Sequence, residues 1–316
     1  MVAGGTRLLG ACPACGVGAL VAWRTVPSFE PLDPRRFPLS RCAACASAVT
    51  GGAPPGPEAY ETGFYGPGPP RGAAALRALQ RLLDAQPARM LRAAGVPPGG
   101  CVLDAGAGRG RLVAALQRAG FAATGIEPSA RGADSASAAG RPVSRAGIEE
   151  HTASDLDAVV LWHVLEHLDE PAQALQRIGE WLRPGGVVLA GVPNLGSVQA
   201  AIAGAGWLHF DVPRHRVHLT PRGLEALFAR AGLAPARVEH MVWEHNPAAM
   251  WMALLTRTGM TPGFPFHLLK RNVPGRPRDL ALLTAGIPLA PAAVALEALA
   301  ASAGRGGTVA ATARRP

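Results

Sequence analysis

The sequence of 316 residues contains few cysteines, very little lysine and only two tyrosines, Tyr60 and Tyr65. Lys270 is the single lysine among 31 lysine and arginine residues, and the arginines are scattered rather than grouped in blocks. The formal net charge of +9 is therefore interpreted as solvated surface, and no nucleic-acid partner is expected. No charged N-terminal segment leads into an apolar run with a small-residue cleavage site, so a cytoplasmic location is predicted.

Four of the five cysteines form two C-x-x-C pairs, Cys12 with Cys15 and Cys42 with Cys45. Two such pairs can bring four thiolates to one tetrahedral zinc ion, which predicts a zinc ribbon over residues 1–50. Because sulfur would fill all four positions, this zinc would be structural. Disulfide bonds and incidental cysteines are the alternatives, and a cytoplasmic location disfavours the disulfides.

Residues 51–72 are rich in proline and glycine, which predicts a linker or a cap loop on the domain that follows. This segment holds both tyrosines of the chain. Their rings either pin the loop to the core or cover a bound cofactor or substrate.

The stretch "VLDAGAGRGRL" at residues 102–112 places Gly106, Gly108 and Gly110 at every second position. Glycine loses more backbone entropy on folding than any other residue, so this rhythm indicates positive φ angles or close approach to a ligand. An apolar run precedes the glycines and helical periodicity follows them, which predicts a strand, a loop and a helix. In an open parallel sheet, such a loop borders a ligand-binding crevice.

Strands and helices continue to alternate through residues 73–316, which predicts an α/β domain with a doubly wound, Rossmann-like sheet of seven strands. A helix is predicted over residues 73–94. The later strands are predicted within "FAATGIEPSA", "RPVSRAGIEEH", "DLDAVVLWHVLEHL", "GGVVLAGVPN" and "APARVEHMVWEHNP". A helical insertion at about 246–305 precedes "GTVAATARR", the predicted antiparallel edge strand.

Glu127 ends the second predicted strand, where its carboxylate can accept both hydroxyls of a ribose. The predicted ligand is therefore a nucleoside with free ribose hydroxyls. Arg111 stands where a dinucleotide fingerprint requires its third glycine, and the G-x-x-x-x-G-K-[ST] phosphate loop is absent from the sequence. The spacing thus favours neither a dinucleotide nor a nucleoside triphosphate.

These segments resemble, in order, the motifs of the class I S-adenosylmethionine-dependent methyltransferases. The likeness extends from "LDAGAGRG" and "GIEPS" through "LDAVVLWHVLEHLDEP" to "LRPGGVVLAGVPN" and "FDVPRHRVHLTPRGLEALFARAGL". It is strongest to the small-molecule branch around the quinone-biosynthesis O-methyltransferases, and the N-terminal ribbon resembles that of some sugar and secondary-metabolite methyltransferases.

The resemblance implies S-adenosyl-L-methionine as the cofactor. Asp104 would orient the loop, Glu127 would hold the ribose, and Trp162 with His163 would line the methionine side. The implied cofactor-binding residues are Asp104, Ala105, Gly106, Ala107, Gly108, Gly110, Glu127, Pro128, Ile148 and Glu149 (the last two near the adenine), Trp162 and His163.

Methyl transfer to a hydroxyl or a carbon acid also needs a group that takes up a proton, for which histidine is suited. His163, Asp211 and His215 are the predicted catalytic residues. His163 ends the fourth strand, and the other two lie in "GWLHFDVPRHRVHLT", residues 206–220, where a substrate lid is expected. The alternative is that Asp211 pairs with Arg214 and only anchors this loop.

Glu166 and His167 are interpreted as structural groups at the start of a helix. The spacing of His163, Glu166 and His167 does not match H-E-x-x-H, so a metal ion is not expected there.

The insertion carries basic residues between Lys270 and Arg278, followed by the apolar run Leu280 to Leu296. Gly286, Pro288 and Pro291 interrupt this run, so a membrane-spanning helix is not predicted. The expectation is helices that cover an apolar substrate pocket or the dimer face of a homo-oligomer. Peripheral membrane contact through residues 270–296 is the alternative.

The sequence thus predicts a methyltransferase that uses S-adenosyl-L-methionine to methylate oxygen or carbon of a small-molecule acceptor. Two alternatives stay open. One is a noncatalytic zinc-ribbon protein that uses the Rossmann-like fold for binding. The other is an RNA or protein methyltransferase, which the absence of an Asn/Asp-Pro-Pro-aromatic motif after the fourth strand disfavours.

Overall fold

The computed structural model describes residues 10–30, 33–60, 83–270 and 273–316. The strands are β1 (Leu20–Pro27), β2 (Arg36–Cys42), β3 (Ala48–Thr50), β4 (Cys101–Ala105), β5 (Ala122–Ile126), β6 (Val143–Ser144), β7 (Leu156–Trp162), β8 (Leu182–Pro193), β9 (Val217–His218), β10 (Ala234–Glu239) and β11 (Thr308–Arg314). The helices are α1 (Ala85–Ala93), α2 (Arg111–Arg118), α3 (Ala130–Ala138), α4 (Pro171–Trp181), α5 (Val198–Ala203), α6 (Pro221–Arg230), α7 (Asn246–Arg257), α8 (Phe264–Leu269), α9 (Pro277–Gly286) and α10 (Ala290–Ser302).

Seven strands form the main sheet, in the order β10-β11-β8-β7-β4-β5-β6. The five strands from β4 to β8 are parallel, and β11 runs antiparallel to both β8 and β10. The predicted doubly wound fold with an antiparallel last strand is therefore confirmed. The prediction that this last strand lies at the edge is wrong, because β11 is inserted between β8 and β10. Its residues are buried up to Ala313, whereas β10 is mostly exposed and forms the edge.

Two predicted elements differ from the structure in length. The third strand of the α/β domain is only Val143–Ser144, followed by bends and turns. Of the helix predicted over residues 73–94, the described part is α1. The rest of that helix, Tyr65 and most of the predicted cap loop lie outside the described residues.

The sheet is packed on both faces because successive strand residues point to opposite sides. Leu103, Val159 and Leu161 face α4 and α6, while Val102 and Val160 face α1 and α2. Since β4, β5, β7 and β8 are parallel, their carboxyl ends and the loops that follow meet at one edge. The candidate cofactor residues lie at the ends of β4 and β7 and in the loops that follow β4, β5, β6 and β7.

A second sheet joins the cysteine-rich N-terminal segment to the main domain. Its order is β1-β2-β3-β9, and β9 belongs to the predicted lid segment. β3 pairs with β9 through Ala48 with His218 and Val49 with Val217. The hydroxyl of Thr50 also donates to the carbonyl of His215 at 2.7 Å. The N-terminal sheet is therefore directly attached to the segment that carries three of the histidines.

The predicted helical insertion before the last strand is confirmed. α9, a short 3-10 turn (Ile287–Leu289) and α10 form a continuous helical run, Pro277–Ser302, of 26 residues. By length and composition alone, it is the one helix in the described parts of the chain that could cross a membrane. The expected interruptions do not break this run. Pro288 lies in the first turn of the 3-10 segment and Pro291 in the first turn of α10, where the missing N–H costs no helical hydrogen bond.

Candidate active site

The glycine loop follows β4 at the shared edge of the sheet. Gly106, Gly108 and Gly110 have φ angles of +83°, +52° and +68°, a region that disfavours other residues. A Cβ on Gly106 would lie 2.5 Å from Cγ2 of Val164, just after β7, so the glycine allows the two loops to touch. A Cβ on Gly108 would meet no atom of the described residues within 4 Å. The main chain at Gly108 therefore borders open space, as a loop that approaches a ligand must.

Two acidic residues flank this loop. Asp104 is buried at the end of β4, and burial, followed by the nearby Glu127 carboxylate, raises its pKa to about 7. Glu127 follows β5, and its Oε2 accepts a hydrogen bond from the Gly108 N–H at 2.8 Å. Its Oε1 accepts from the backbone and hydroxyl of Ser129, at 2.9 and 2.6 Å. The ribose-binding candidate is thus fixed with its carboxylate turned towards the glycine loop.

The remaining predicted cofactor residues surround the same edge. Ala105 is buried in the core, Ala107 is partly buried in the loop, and Pro128 is exposed after Glu127. Ile148 is buried and Glu149 exposed in the turn that follows β6. The structure thus places an apolar side chain and an acidic one after β6, at the strand end next to Glu127.

Arg111 connects the loop to elements that the sequence did not indicate. Its guanidinium pairs with the carboxylates of Asp84, before α1, and Glu244, before α7. Glu244 also accepts a hydrogen bond from the indole N–H of Trp162 at 3.2 Å. Although burial raises the pKa of Glu244, its neighbours His245 and Arg111 hold that pKa well below its usual range. The residue that breaks the dinucleotide pattern is therefore a partly exposed arginine that joins three segments through two ion pairs.

His163 lies immediately after β7 with a φ of +58°, which is rare for a residue with a side chain. Its Nδ1 is 3.0 Å from Oε1 of the buried Glu166. Its Nε2 is buried and has no hydrogen-bond partner among the described residues. A histidine that is held through Nδ1 by a carboxylate, and whose Nε2 has no such partner among the described residues, has the arrangement of a general base.

Other histidines gather around this pair. The ring centroids of His245 and His209 lie 4.3 and 6.3 Å from that of His163. Burial lowers the pKa of both neighbours, so they are neutral near pH 7. We call His163, His167, His209, His215 and His245, grouped around Glu166, the histidine cluster.

His167 and His215 form the other side of the cluster. Their Nδ1 atoms lie 3.2 and 2.9 Å from the carbonyls of Arg214 and His209. One ligand atom from each ring and a Glu166 oxygen lie within 4.8 Å of one another, a geometry that could hold a metal ion. Burial lowers the pKa of both rings, and the ring of Tyr60 packs edge-on against His167. Tyr60 thus contacts the cluster through His167.

Asp211 is buried and engaged by arginine. Its carboxylate accepts hydrogen bonds from Arg214, which also pairs with Glu30 at 2.5 Å. The Nε2 of His215 is 3.7 Å from Oδ2 of Asp211. The loop-anchoring pair expected as the alternative is therefore present, and Thr220 caps α6 by accepting from the Gly223 N–H.

The four paired cysteines converge at one end of the small sheet. All four sulfur atoms lie within 4.8 Å of one another, with 3.7 Å between Cys12 and Cys45 and 3.6 Å between Cys15 and Cys42. Zinc–sulfur bonds of about 2.3 Å in a tetrahedron require sulfur separations of about 3.8 Å. The backbone N–H groups of Ala44 and Cys45 also point at the Cys42 sulfur. The cluster fits a structural zinc ion with no open position.

The structure brings the predicted loop, Glu127, Trp162 and His163 to one edge, with the lid histidines beside them. Sequence reasoning missed Asp84, Arg111, Glu166, Glu244 and His245 as parts of this site. The adjacent Glu244 and His245 after the sixth strand, at the carboxyl end of the sheet, were the available signal.

Comparison with known proteins identifies the family of the central domain. Residues 73–238 match a family model described as "Methyltransferase domain". A ubiquinone biosynthesis O-methyltransferase of Methylocella silvestris is 32% identical over 150 residues, which are 42% of this chain and 57% of that protein. One of Dinoroseobacter shibae is 30% identical over 178 residues, 49% of this chain and 68% of that protein. The match thus spans little more than half of the first relative.

Solved structures share the fold. The cyclopropane synthase MmaA2 of Mycobacterium tuberculosis superposes with a TM-score of 0.51 and 16% identity, covering 84% of this chain and 100% of that one. At this identity, the likeness concerns the fold alone.

Proposed function

This chain belongs to the class I S-adenosylmethionine-dependent methyltransferase family, and on that premise we propose that it methylates an oxygen or carbon atom of a small molecule. The observation that carries the proposal is the pair of His163 and Glu166 beside the glycine loop. The Gly106 backbone packs so closely against Val164 that a Cβ would not fit, so the loop and the residues after β7 are direct neighbours. A base and a nucleoside site therefore lie side by side.

S-adenosyl-L-methionine, when bound, supplies a methyl group on a sulfonium, which an acceptor can attack in line. The open backbone at Gly108 and the carboxylate of Glu127 fit its nucleoside part. Trp162, fixed by Glu244, lines the other side. The protein's contribution to the transfer is to position the acceptor against the methyl carbon.

His163 accepts the proton that the acceptor hydroxyl or carbon acid loses, at its Nε2 atom. Glu166 holds Nδ1 and stabilises the charge that the ring gains. His209 and His245 surround this ring as neutral groups, so they exclude water without competing for the proton. In this proposal Asp211 and His215 position residues 206–220, since Arg214 occupies the carboxylate of Asp211.

The acceptor is proposed to be a small molecule and not nucleic acid, as for the named biosynthetic relatives. We further propose that the protein is cytoplasmic, contacts a membrane surface and forms a homo-oligomer. The family match and the buried base do not favour a noncatalytic binding protein or an RNA or protein methyltransferase.

The test is to incubate the purified full-length chain with methyl-labelled S-adenosylmethionine and fractionated cell extract. A labelled small molecule, identified by mass spectrometry, is the expected product. The His163→Ala variant should leave it unlabelled, and His240→Ala, outside the site, should label it normally. Label found only in RNA or protein would contradict the proposal.

A further inference from the structure

The helical run Pro277–Ser302 presents an apolar surface that the described residues of the chain leave uncovered. Only 17% of its most apolar 18-residue window is buried, and the mean hydropathy of that window is 1.7. Ile287 and Leu299 are 59% and 68% exposed. Of the eight large apolar side chains exposed in the described residues, six lie between positions 269 and 299. A surface of this kind marks an interaction site on an otherwise polar protein.

Buried polar contacts hold this run against the domain along its length. Near its start, the carboxylate of Asp279 accepts from the N–H and hydroxyl of Thr261, both at 2.9 Å. In the middle, the carbonyl of Gly286 accepts from the indole N–H of Trp251 at 2.8 Å. Near the end, Glu297 accepts from the Gly307 N–H at 2.7 Å. If the helical run left the domain, these buried polar groups would lose their hydrogen-bond partners. The run therefore lies along the surface and does not cross a bilayer.

In the described residues from 246 to 316, the charged side chains that are exposed to solvent are all positive. From residue 246 to the C-terminus the only acids are Asp279 and Glu297, and both are buried with their carboxylates bonded inward. Arg276 and Arg278 are exposed at the start of the run, and Arg305 is exposed after its end. The outward surface of this part of the chain therefore combines apolar side chains with cations and, within its described residues, exposes no acid. Glu239 of β10 lines a groove with Ala298, Ala301 and Ser302, but it is partly buried and pairs with Arg237.

This combination of apolar side chains and cations indicates what binds to the surface. A second copy of the chain would bring the same cations to the interface with no acid to neutralise them. The surface of an anionic lipid bilayer supplies both an apolar layer and negative headgroups. At about 1.5 Å per residue, 26 residues give a helix about 39 Å long that can lie in the interfacial plane.

We propose that the exposed face of Pro277–Ser302, with the arginines at its ends, docks the enzyme on an anionic membrane surface. The proposal deepens the location proposed above. It does not depend on methyl transfer, because vesicle binding requires no turnover.

Vesicle flotation with the full-length protein tests it. Phosphatidylcholine vesicles that contain phosphatidylglycerol should bind the protein at least about tenfold more tightly than phosphatidylcholine alone, and added salt should weaken this binding. The double variant Ile287→Ser with Leu299→Ser should lose at least about tenfold in vesicle affinity. Val17→Ser, which changes an 86% exposed apolar residue in the N-terminal segment, is the matched control and should bind normally.

Charge is tested by Arg276→Gln with Arg278→Gln, against Arg222→Gln as a control exposed on α6. The first pair should weaken binding to anionic vesicles severalfold, and the control should not. An unchanged affinity for S-adenosylmethionine shows that each variant is folded. Failure to float with anionic vesicles, or a dimer in ultracentrifugation that the double apolar variant dissolves without any vesicle binding, would overturn the proposal.

Discussion

The glycine loop and the histidine cluster occupy the same edge of the sheet but are built in different ways. The loop is local, since Gly106, Gly108 and Gly110 follow one strand and act through their backbone. The cluster is assembled from three distant segments, after β7, after β8 and after β10. The glycine loop can therefore be recognised in a short stretch of sequence, whereas the histidine cluster depends on the tertiary fold that supports it.

The largest effect should come from removing the zinc. The metal holds the small sheet, whose β9 leads from the segment of His209 and His215, so its loss should disorder the acceptor side first. Chelation is expected to abolish turnover while S-adenosylmethionine affinity falls much less. Metal analysis should find one zinc per chain, and adding zinc back should restore turnover. Full turnover by the metal-free protein would break the link between ribbon and cluster.

The next effect separates chemistry from cofactor binding. Glu166→Gln removes the charge that stabilises protonated His163 and should lower kcat by about 100- to 10,000-fold. S-adenosylmethionine affinity should stay unchanged, because Glu166 lies on the acceptor side. The limb of the kcat–pH profile due to the base should also move, which a merely structural role would not cause. Glu225→Gln on α6 is the control, with normal kcat expected.

These two effects show how far the sequence could predict the site. The sequence could predict the glycine loop, Glu127 and the position of His163 at a strand end, because these features depend on local patterns and on the order of strands along the chain. Glu244 and His245 could be noticed only as an adjacent pair after a strand, because their partners Arg111 and His163 are distant in the sequence. The edge placement of the last strand failed for the same reason, since strand order is set by long-range packing.

The two regions should also respond to acid with opposite sign. Burial lowers the pKa of His218, beside the cluster, from 6.5 to about 3. Below pH 6.5 the unfolded chain therefore binds a proton on this side chain that the folded chain does not bind. The contribution of His218 to stability should fall by about 2 kcal/mol between pH 7 and pH 5. Burial raises the pKa of Asp104 from 3.8 to about 7, so the folded chain binds the proton and gains about 2 kcal/mol over the same interval.

Urea unfolding of His218→Asn and Asp104→Asn at both pH values measures these contributions. The first variant should lose less stability on acidification than the parent chain, and the second should lose more. Equal pH dependence in the two variants would contradict the opposite titration of the two regions.

The smallest effect concerns the glycine loop itself. Gly108 and Gly140 have φ angles of +52° and +66°, and in the part of the chain that the structure describes a Cβ on either would meet no atom within 4 Å. Alanine at each should therefore cost a similar ~1–2 kcal/mol of stability. Only Gly108→Ala should weaken S-adenosylmethionine binding, by about tenfold, because its open side faces the proposed ligand. Equal affinities in the two variants would show that the open space at Gly108 is not the cofactor site.

Calorimetric titration of S-adenosylmethionine into the parent chain and Glu127→Ala tests the central claim most directly. Removing the carboxylate that faces the loop should reduce affinity by about 10- to 100-fold, with Glu180→Ala on the exposed face of α4 as the unaffected control. The melting temperature identifies any loss that comes from unfolding. A parent chain that does not bind, or a folded Glu127→Ala that binds equally well, would contradict the account.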